Sequence, residues 1–71
     1  MKKELVITYS ELGFVRSGAV QVKSFEQAKD HLAKLRSSFP YTSNEFTLLF
    51  AQYKEDDVVK AHWSEGGKQW S

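Results

Sequence analysis

One stretch of this sequence has the period of an amphipathic helix, and alternating apolar and polar residues flank it on both sides. Ser24 and Gln27 form the S-x-x-Q pattern of a capping box, which predicts that a helix starts at Ser24. Apolar residues then recur at helical spacing, namely Phe25, Ala28, Leu32, Leu35 and Phe39. Pro40 disfavours a helical conformation at the residue before it, so the helix is expected to end near Ser37 or Ser38.

The alternating segments on either side of the helix predict strands. They lie at residues 4–9, 19–23, 45–53, 58–64 and 68–71. We expect a long turn over residues 10–18, with an extension of either strand by Phe14 and Val15 as the alternative. We also expect an acidic turn over residues 54–57 and a hairpin turn at Gly66-Gly67. The predicted fold is α+β in the order β-β-α-β-β-β, an antiparallel four- to five-stranded sheet with one helix packed on one face. Residues 1–71 are expected to form a single domain.

The strand predicted over residues 45–53 is apolar on both faces, which is typical of a central strand. Phe46, Leu48 and Phe50 share one face of this strand, and Leu49, Ala51 and Tyr53 share the other. The predicted core, which Trp63 or Trp70 closes at one end, consists of Leu5, Ile7, Val20, Val22, Phe25, Ala28, Leu32, Leu35, Phe46, Leu48 and Phe50.

A single helix covers only one face of the predicted sheet. The uncovered face is expected to expose apolar and aromatic side chains, either Val6, Leu49 and Tyr53 or else the Phe46 set. Exposed apolar patches of this kind are typical of partner surfaces. The alternative is that the segment 10–18, with Phe14, folds over this face.

Both tryptophans fall within the last nine residues of the sequence. A two-residue turn at Gly66-Gly67 would place Trp63 directly opposite Trp70, and cross-strand aromatic pairs stabilise a sheet. We interpret the pair as packing that anchors the terminal strand, in preference to a binding role, although tryptophan is also enriched at binding hot spots.

Composition and charge narrow the classes of function. Ten Lys and Arg residues against nine Asp and Glu residues leave the chain nearly neutral, unlike a strongly basic nucleic-acid binder. Cysteine is absent, so the fold has no disulfide framework and no thiolate metal site. The longest apolar run, residues 48–51, is far too short for a membrane span, and we expect a cytoplasmic protein.

No group of residues has the spacing of a catalytic or metal site. His62 and Glu65 would point to opposite faces of a strand, and His31 lies on the helix far away in sequence. Asp56-Asp57 lies in a charged turn where carboxylates are usually solvated. The glycines match no phosphate-binding pattern. We therefore expect no catalysis, no metal and no cofactor.

Single-stranded nucleic acid is the alternative partner, because aromatic side chains on an open sheet can stack on bases. The candidate stacking residues are Tyr53, His62, Trp63 and Trp70, and the candidate phosphate contacts are Arg16, Lys54, Lys60 and Lys68. Against this stand the balanced charge and the lack of an RNP-like motif.

Two stretches resemble small phage-encoded anti-CRISPR proteins that act on type I-F surveillance complexes. Residues 24–29, SFEQAK, resemble the family's S-x-x-Q-A-K helix start, and residues 65–70, EGGKQW, resemble its E-x-G-K-R-W hairpin. The resemblance covers about a fifth of the chain and implies an inhibitor that blocks hybridisation of target DNA with the guide. It implies contacts from Lys29 and Lys68, but Asp30 and Gln69 replace basic residues of the family pattern.

These observations predict a non-catalytic protein-binding module, and the resemblance implies an anti-CRISPR-like inhibitor from a phage or mobile element that would act in the host cytoplasm. The alternatives are a single-stranded nucleic-acid binder and a small structural homodimer. The partner-binding residues are predicted to be Lys29, Lys34, Arg36, Lys60, Lys68 and Trp70. Charge reversal at Lys29 and Lys68 is expected to remove inhibition while leaving the thermal midpoint nearly unchanged.

Overall fold

The computed structural model describes residues 1–38, 45–65 and 69–71. The elements in chain order are β1 (Lys3–Glu11), β2 (Phe14–Gln21), α1 (Phe25–Arg36), β3 (Phe46–Glu55) and β4 (Val58–Ser64). They form one antiparallel sheet in the order β2-β1-β3-β4 with α1 on one face, which confirms the predicted α+β fold. Of the predicted last strand, the described residues show an isolated antiparallel bridge between Trp63 and Trp70. The predicted Gly66-Gly67 turn lies outside the described residues.

The helix begins at the predicted cap. The Ser24 hydroxyl accepts a hydrogen bond from the Gln27 backbone N–H at 3.1 Å, which satisfies one of the free donors of the first turn. The Gln27 side chain reaches back to the backbone N–H of Lys23, one residue before the position that a capping box uses. Helix α1 ends at Arg36, and Ser37 caps it.

The predicted long turn over residues 10–18 is wrong. Strand β1 continues to Glu11 and β2 starts at Phe14, so that Leu12 and Gly13 alone connect them. Both have positive φ, 50° and 87°, as a type I′ turn requires. This turn type matches the right-handed twist of the two strands, which lets the hairpin run eight residue pairs without interruption.

A β-bulge in β3 changes which side chains reach the core. Against β1, Phe50 pairs with Thr8 but Leu48 pairs with Tyr9, so Leu49 is an extra residue. Leu48, Ala51 and Tyr53 are therefore buried beneath the helix, while Phe50 lies on the opposite face. The assignment of Phe50 to the core, with Ala51 and Tyr53 on the opposite face of the strand, is wrong because strict alternation fails at the bulge.

The buried core consists of Leu5, Ile7, Ala28, Leu32, Leu48, Ala51, Tyr53 and Trp63. Four other residues of the predicted core are half-buried, namely Val22, Phe25, Leu35 and Phe46. Val20 is not a core residue, since 37 % of it is exposed. The reason is that α1 packs chiefly on β3, and β2, at the edge of the sheet, lies beyond its reach.

The face opposite the helix is mostly small and polar, contrary to the apolar surface expected from the sequence. The strand register places on it Glu4, Val6, Thr8, Ser10, Val15, Ser17, Ala19, Gln21, Thr47, Phe50, Gln52, Lys54, Val59, His62 and Ser64. Phe50 stacks on His62 with ring centroids 5.6 Å apart. Phe14 does not fold over this face, because it is part of β2 and 69 % exposed. Such a face is typical of an antiparallel sheet that contacts water on one side.

Candidate interaction surface

Exposed large apolar side chains concentrate on the β1–β2 hairpin. Seven are found among the described residues, and four belong to this hairpin: Leu12, Phe14, Val15 and Val20. We call these four residues the hairpin surface. Leu12, Phe14 and Val15 are 65 %, 69 % and 70 % exposed, so most of each side chain is in contact with solvent. Isolated apolar side chains on a surface are ordinary, but Leu12, Phe14 and Val15 adjoin at the hairpin turn, which makes this end of the sheet the candidate interaction site.

Leu12 occupies a position that its side chain disfavours. At φ 50° its Cβ crowds the following carbonyl oxygen, at a cost of roughly 1–2 kcal/mol compared with ordinary backbone. Asn, Asp and Gly are the residues usually found at the first position of this turn. The backbone is held there by a 3.0 Å hydrogen bond from the Leu12 N–H to the Glu45 carbonyl. An exposed leucine in this conformation is unfavourable for folding, and such outliers cluster at functional sites.

The hairpin surface extends over both faces of β2. The register pairs Phe14 with Glu11 and Val20 with Leu5, so these two side chains lie on the helix side of the sheet. Val15, opposite Ser10, lies on the other side. Every residue of β2 is exposed, because the helix does not cover it and no second sheet lies behind it in the described part of the chain.

The outer backbone edge of β2 is also unpaired within the described residues. Val22 donates a hydrogen bond to the Lys3 carbonyl at 3.0 Å, which fixes the phase of the β1–β2 ladder. Residues alternate in an antiparallel ladder, so the even-numbered residues of β2 bond to β1. The N–H and C=O groups of the odd-numbered ones point away from the sheet, and these are Val15, Ser17, Ala19 and Gln21.

The opposite edge of the sheet, β4, is protected. His62 exchanges two backbone hydrogen bonds with Ser71, at 2.8 and 2.9 Å, so segment 69–71 covers part of this edge. The β3–β4 register shifts between Tyr53 and Lys54, which introduces a bulge at Lys60. Lysines, bulges and covering segments are the devices that keep sheet edges from pairing with other chains. Among the residues that the structure describes, strand β2 shows none of the three, and its single charged residue is Arg16.

Two of the predicted partner-binding residues are in ion pairs on the helix. The Lys29 ammonium lies 2.9 Å from the Glu26 carboxylate and 4.8 Å from the centre of the Phe25 ring. The Lys34 ammonium lies 3.1 Å from the Asp30 carboxylate. All of these groups are partly or largely exposed, and pairs of this kind contribute only about 0.2–0.5 kcal/mol each. The helix face therefore presents alternating charges and no concentrated positive patch.

Arg36 and Trp70, also predicted to bind a partner, pack against the protein itself. The Arg36 guanidinium lies 5.0 Å from the centre of the buried Trp63 ring and 3.6 Å from the Glu65 carboxylate. Trp70 stands edge-on to Phe25 at 5.2 Å and is half-buried. These contacts agree with the interpretation of the tryptophan pair as packing. Lys60 is exposed on β4 and pairs with no carboxylate of the described residues, and Lys68 lies outside them.

The four aromatic candidates for base stacking do not share an open face. Tyr53 and Trp63 are buried on the helix side, and Trp70 bridges Trp63 there. Only His62, of these four, lies on the uncovered face, where it stacks on Phe50. Of the candidate phosphate contacts, Arg16 forms a 3.1 Å ion pair with Glu11. The arrangement lacks the row of accessible rings on which single strands stack.

Neither the acidic turn nor any surface depression in the described residues has the geometry of a catalytic or metal site. Asp56 and Asp57, both at positive φ, form the β3–β4 turn, and the Asp56 carboxylate accepts a hydrogen bond from the Lys2 backbone N–H at 2.8 Å. No group of three His, Asp or Glu side chains in the described residues could hold a metal. A shallow depression of about 210 Å³, lined by Arg36, Phe46, Thr47, Leu48 and Glu65, is smaller than typical ligand sites.

Tyr53 is the titratable group with a marked pKa shift in the described chain. Its hydroxyl donates a 2.6 Å hydrogen bond to the Glu55 carboxylate. This bond, reinforced by burial and by the negative charge of Glu55, raises the pKa of Tyr53 from 10.0 to about 12. The hydrogen bond and burial keep the phenol neutral, and its ring packs against Phe25 with ring centroids 5.1 Å apart. We therefore assign this group to packing.

The chain matches no protein-family model. Comparison with curated proteins and with solved structures gives no match either. None of the helices described is long and apolar enough to cross a membrane.

Proposed function

We propose that this protein is a non-catalytic protein-binding module that binds its partner through the hairpin surface and the adjoining edge of β2. The observation that carries the proposal is the exposure of Leu12, Phe14 and Val15 together, with Leu12 held at positive φ. Strained backbone positions cluster at functional sites, and exposed apolar groups mark partner surfaces.

Two modes of contact are available to one partner at this surface. The outward N–H and C=O groups of β2 can pair with an extended segment, which supplies affinity through backbone hydrogen bonds. The side chains of Phe14 and Val15, on opposite faces of β2, can then enter pockets on either side of the added strand. Catalysis is not part of the proposal, because β2 carries Arg16 as its single charged residue and no nucleophile paired with a base.

For the target we propose an RNA-guided surveillance complex, inhibited in the cytoplasm of a bacterial host. This rests on the resemblance of the helix start and the terminal segment to anti-CRISPR proteins. The described structure adds one consideration, which is that Lys29 is already paired with Glu26. We therefore expect the hairpin surface to contribute more to target binding than Lys29 does.

The test compares two valines that differ in location but little else. Val15 and Val59 are both exposed, both on edge strands and both on the uncovered face, at opposite sides of the sheet. Val15→Asp should weaken inhibition of phage defence by at least about tenfold, the effect of removing about 1.4 kcal/mol of binding free energy. Val59→Asp should leave inhibition close to that of the unmodified protein.

Plaque counts in a host with an active type I-F system, with and without expression of each variant, measure this effect. Circular dichroism and the thermal midpoint of each variant confirm that both remain folded. Equal activity of the two variants would contradict the proposed hairpin surface. Loss of activity in Val59→Asp alone would move the binding site to the β4 side of the sheet.

A further inference from the structure

We infer that the strand that pairs with β2 is β2 of a second copy of this chain, joined antiparallel so that two four-stranded sheets become one sheet of eight strands. The inference rests on the proposed function and deepens it, since a second copy occupies the backbone edge of β2 while the hairpin side chains on the two faces of the joined sheet stay available to the target. Three observations carry it: the lack of edge protection on β2 within residues 1–38, 45–65 and 69–71, the self-complementary side-chain pattern of β2, and the glycine at position 18.

Symmetry limits how two copies of β2 can pair. A two-fold axis perpendicular to the sheet keeps each side chain on its own face, so a residue must pair with one of the same parity. The outward-pointing groups of Val15, Ser17, Ala19 and Gln21 must also face each other to form hydrogen bonds. Three registers satisfy both conditions near the centre of the strand, with the axis at Arg16, Ser17 or Gly18.

Charge and packing select among these registers. An axis at Arg16 places two guanidinium groups directly opposite each other, which is destabilising. An axis at Gly18 pairs Val15 with Gln21 and Arg16 with Val20, and leaves glycine opposite glycine. An axis at Ser17 pairs Phe14 with Val20 on the helix side and Val15 with Ala19 on the other side. In that register apolar residues meet on both faces, and Ser17 meets Ser17.

The same register gives Gly18 a role. A Cβ built at Gly18 would meet no atom within 4 Å and its φ lies outside the left-handed region, so nothing in the described chain requires glycine there. Glycine weakens a strand, and in strand interiors it often marks close approach by another chain. With the axis at Ser17, Gly18 lies opposite Arg16 of the second copy. The missing side chain leaves space for the Arg16 side chain, which is already paired with Glu11 at 3.1 Å.

The Ser17 register also brings the hairpin surface to the middle of the eight-stranded sheet, where its side chains gain lateral neighbours and remain on the two faces. Three of its four members, Phe14, Val15 and Val20, gain apolar neighbours from the second copy. Strand β4 offers no equivalent edge, because Lys60, the bulge and segment 69–71 interrupt it. Pairing at β2 alone closes after two copies and therefore gives a dimer and not a filament.

The experiment uses the absence of cysteine from the sequence. Ser17→Cys and Ala19→Cys each introduce one thiol, on the same exposed edge and face of β2. In the inferred dimer the two Cα atoms at position 17 lie about 5.5 Å apart, within the range that a disulfide spans. The two copies of position 19 are displaced from the axis in opposite directions and lie beyond that range. Mild oxidation at micromolar concentration should therefore cross-link Ser17→Cys at least about tenfold faster.

Light scattering provides the independent measurement. The unmodified protein should have about twice its 8.2 kDa chain mass, and Ser17→Asp, which places two carboxylates at the axis, should have the mass of one chain. A single-chain mass of the unmodified protein at all concentrations up to about 100 µM overturns the inference. Equal cross-linking of the two cysteine variants, or faster cross-linking of Ala19→Cys, overturns the Ser17 register.

The two proposals fail in different ways. If the protein is a monomer and Val15→Asp still loses inhibition of phage defence, the proposed protein-binding surface stands. The second copy is then rejected as the strand that pairs with β2. If Ser17→Cys cross-links as a dimer while Val15→Asp leaves inhibition of phage defence unchanged, the inferred pairing is confirmed. The hairpin surface is then rejected as the site of target binding.

Discussion

The ring of Trp70 stands edge-on to the ring of Phe25, with centroids 5.2 Å apart and planes at 89°. The backbone of Trp70 bridges Trp63 in the sheet at the same point, so one residue joins the C-terminal segment to both the helix and β4. Edge-to-face pairs add about 0.5–1.5 kcal/mol beyond the area they bury. The hydrogen bonds between His62 and Ser71 depend on this anchor, because two backbone bonds hold a short segment poorly.

Trp70→Ala should lower the free energy of unfolding by about 2 kcal/mol. The value lies below the 3–5 kcal/mol typical of a buried tryptophan because Trp70 is only half-buried. Trp70→Phe, which preserves an aromatic contact with Phe25, should restore about half of the loss. Urea denaturation monitored by circular dichroism measures both. A loss below about 0.5 kcal/mol for Trp70→Ala would mean that the ring contributes little to the stability of the fold and more to partner binding.

Charge reversal at Lys29 should destabilise the protein, contrary to the nearly unchanged midpoint that the sequence led us to expect. Lys29→Glu removes the ion pair with Glu26, creates repulsion between the two carboxylates and removes the cation above Phe25. Together these three effects should lower the free energy of unfolding by about 1 kcal/mol. Lys34→Glu is the matched control, because it loses an ion pair with Asp30 but no aromatic contact, and should cost about half as much.

Thermal denaturation of both lysine variants at low and high salt separates these terms. The difference between the variants should persist in high salt if the Phe25 contact causes it, since salt screens exposed ion pairs most strongly. Equal midpoints for the two variants at both salt concentrations would show that the Lys29–Phe25 contact contributes nothing.

The local signals in the sequence were sufficient for the fold class and the helix. The Ser24 cap, the apolar spacing in α1 and the alternation in β1 each depend on near neighbours, and each was predicted. The bulge at Leu49 was not, because it depends on how β3 pairs with β1, a contact across about forty residues. A single extra residue then inverted the predicted faces of Phe50, Ala51 and Tyr53, since side chains alternate with a period of two.

The hairpin surface was missed for a different reason. Leu12-Gly13 is a weak turn signal compared with Asn-Gly or Asp-Gly, so the segment was predicted to be a loop. A clue was present in Phe14 and Val15, an aromatic and a β-branched residue that favour a strand directly after Gly13. The sequence also could not show that the helix stops short of β2, because coverage depends on the position of α1 above the sheet.

The shifted pKa of Tyr53 predicts a loss of stability in alkaline solution. Its folded-state pKa, about 12, exceeds the unfolded value of 10.0, mainly because the phenol donates to Glu55. The folded state therefore favours the neutral phenol, and the contribution of Tyr53 to the free energy of unfolding is complete below pH 10. That contribution is lost progressively as the pH rises from about 10 to about 12.

Ultraviolet titration of the phenols tests this directly. Tyr53 should ionise in a late step in the folded protein, and that late step should be absent from Tyr53→Phe. Between pH 10 and pH 12 the stability of the unmodified protein should fall more steeply than that of Tyr53→Phe. A late ionisation that persists in Tyr53→Phe would assign it to another tyrosine.

Leu12→Asn should raise stability and lower partner binding at once. Asparagine tolerates the positive φ of position 12, so the substitution should increase the free energy of unfolding by about 1 kcal/mol. It also replaces an exposed apolar side chain of the hairpin surface with a polar one. If Leu12 contributes to binding, inhibition in the plaque assay should weaken by roughly tenfold despite the gain in stability.

Leu12→Ala separates the two effects. Alanine removes most of the apolar side chain but is strained at positive φ much as leucine is, so binding should weaken while stability stays within about 0.5 kcal/mol of the unmodified protein. Binding that weakens in both variants, with stability raised only by asparagine, would show that the strained leucine is retained for its contact. Unchanged binding in both variants would remove Leu12 from the hairpin surface and leave Phe14 and Val15 to carry it.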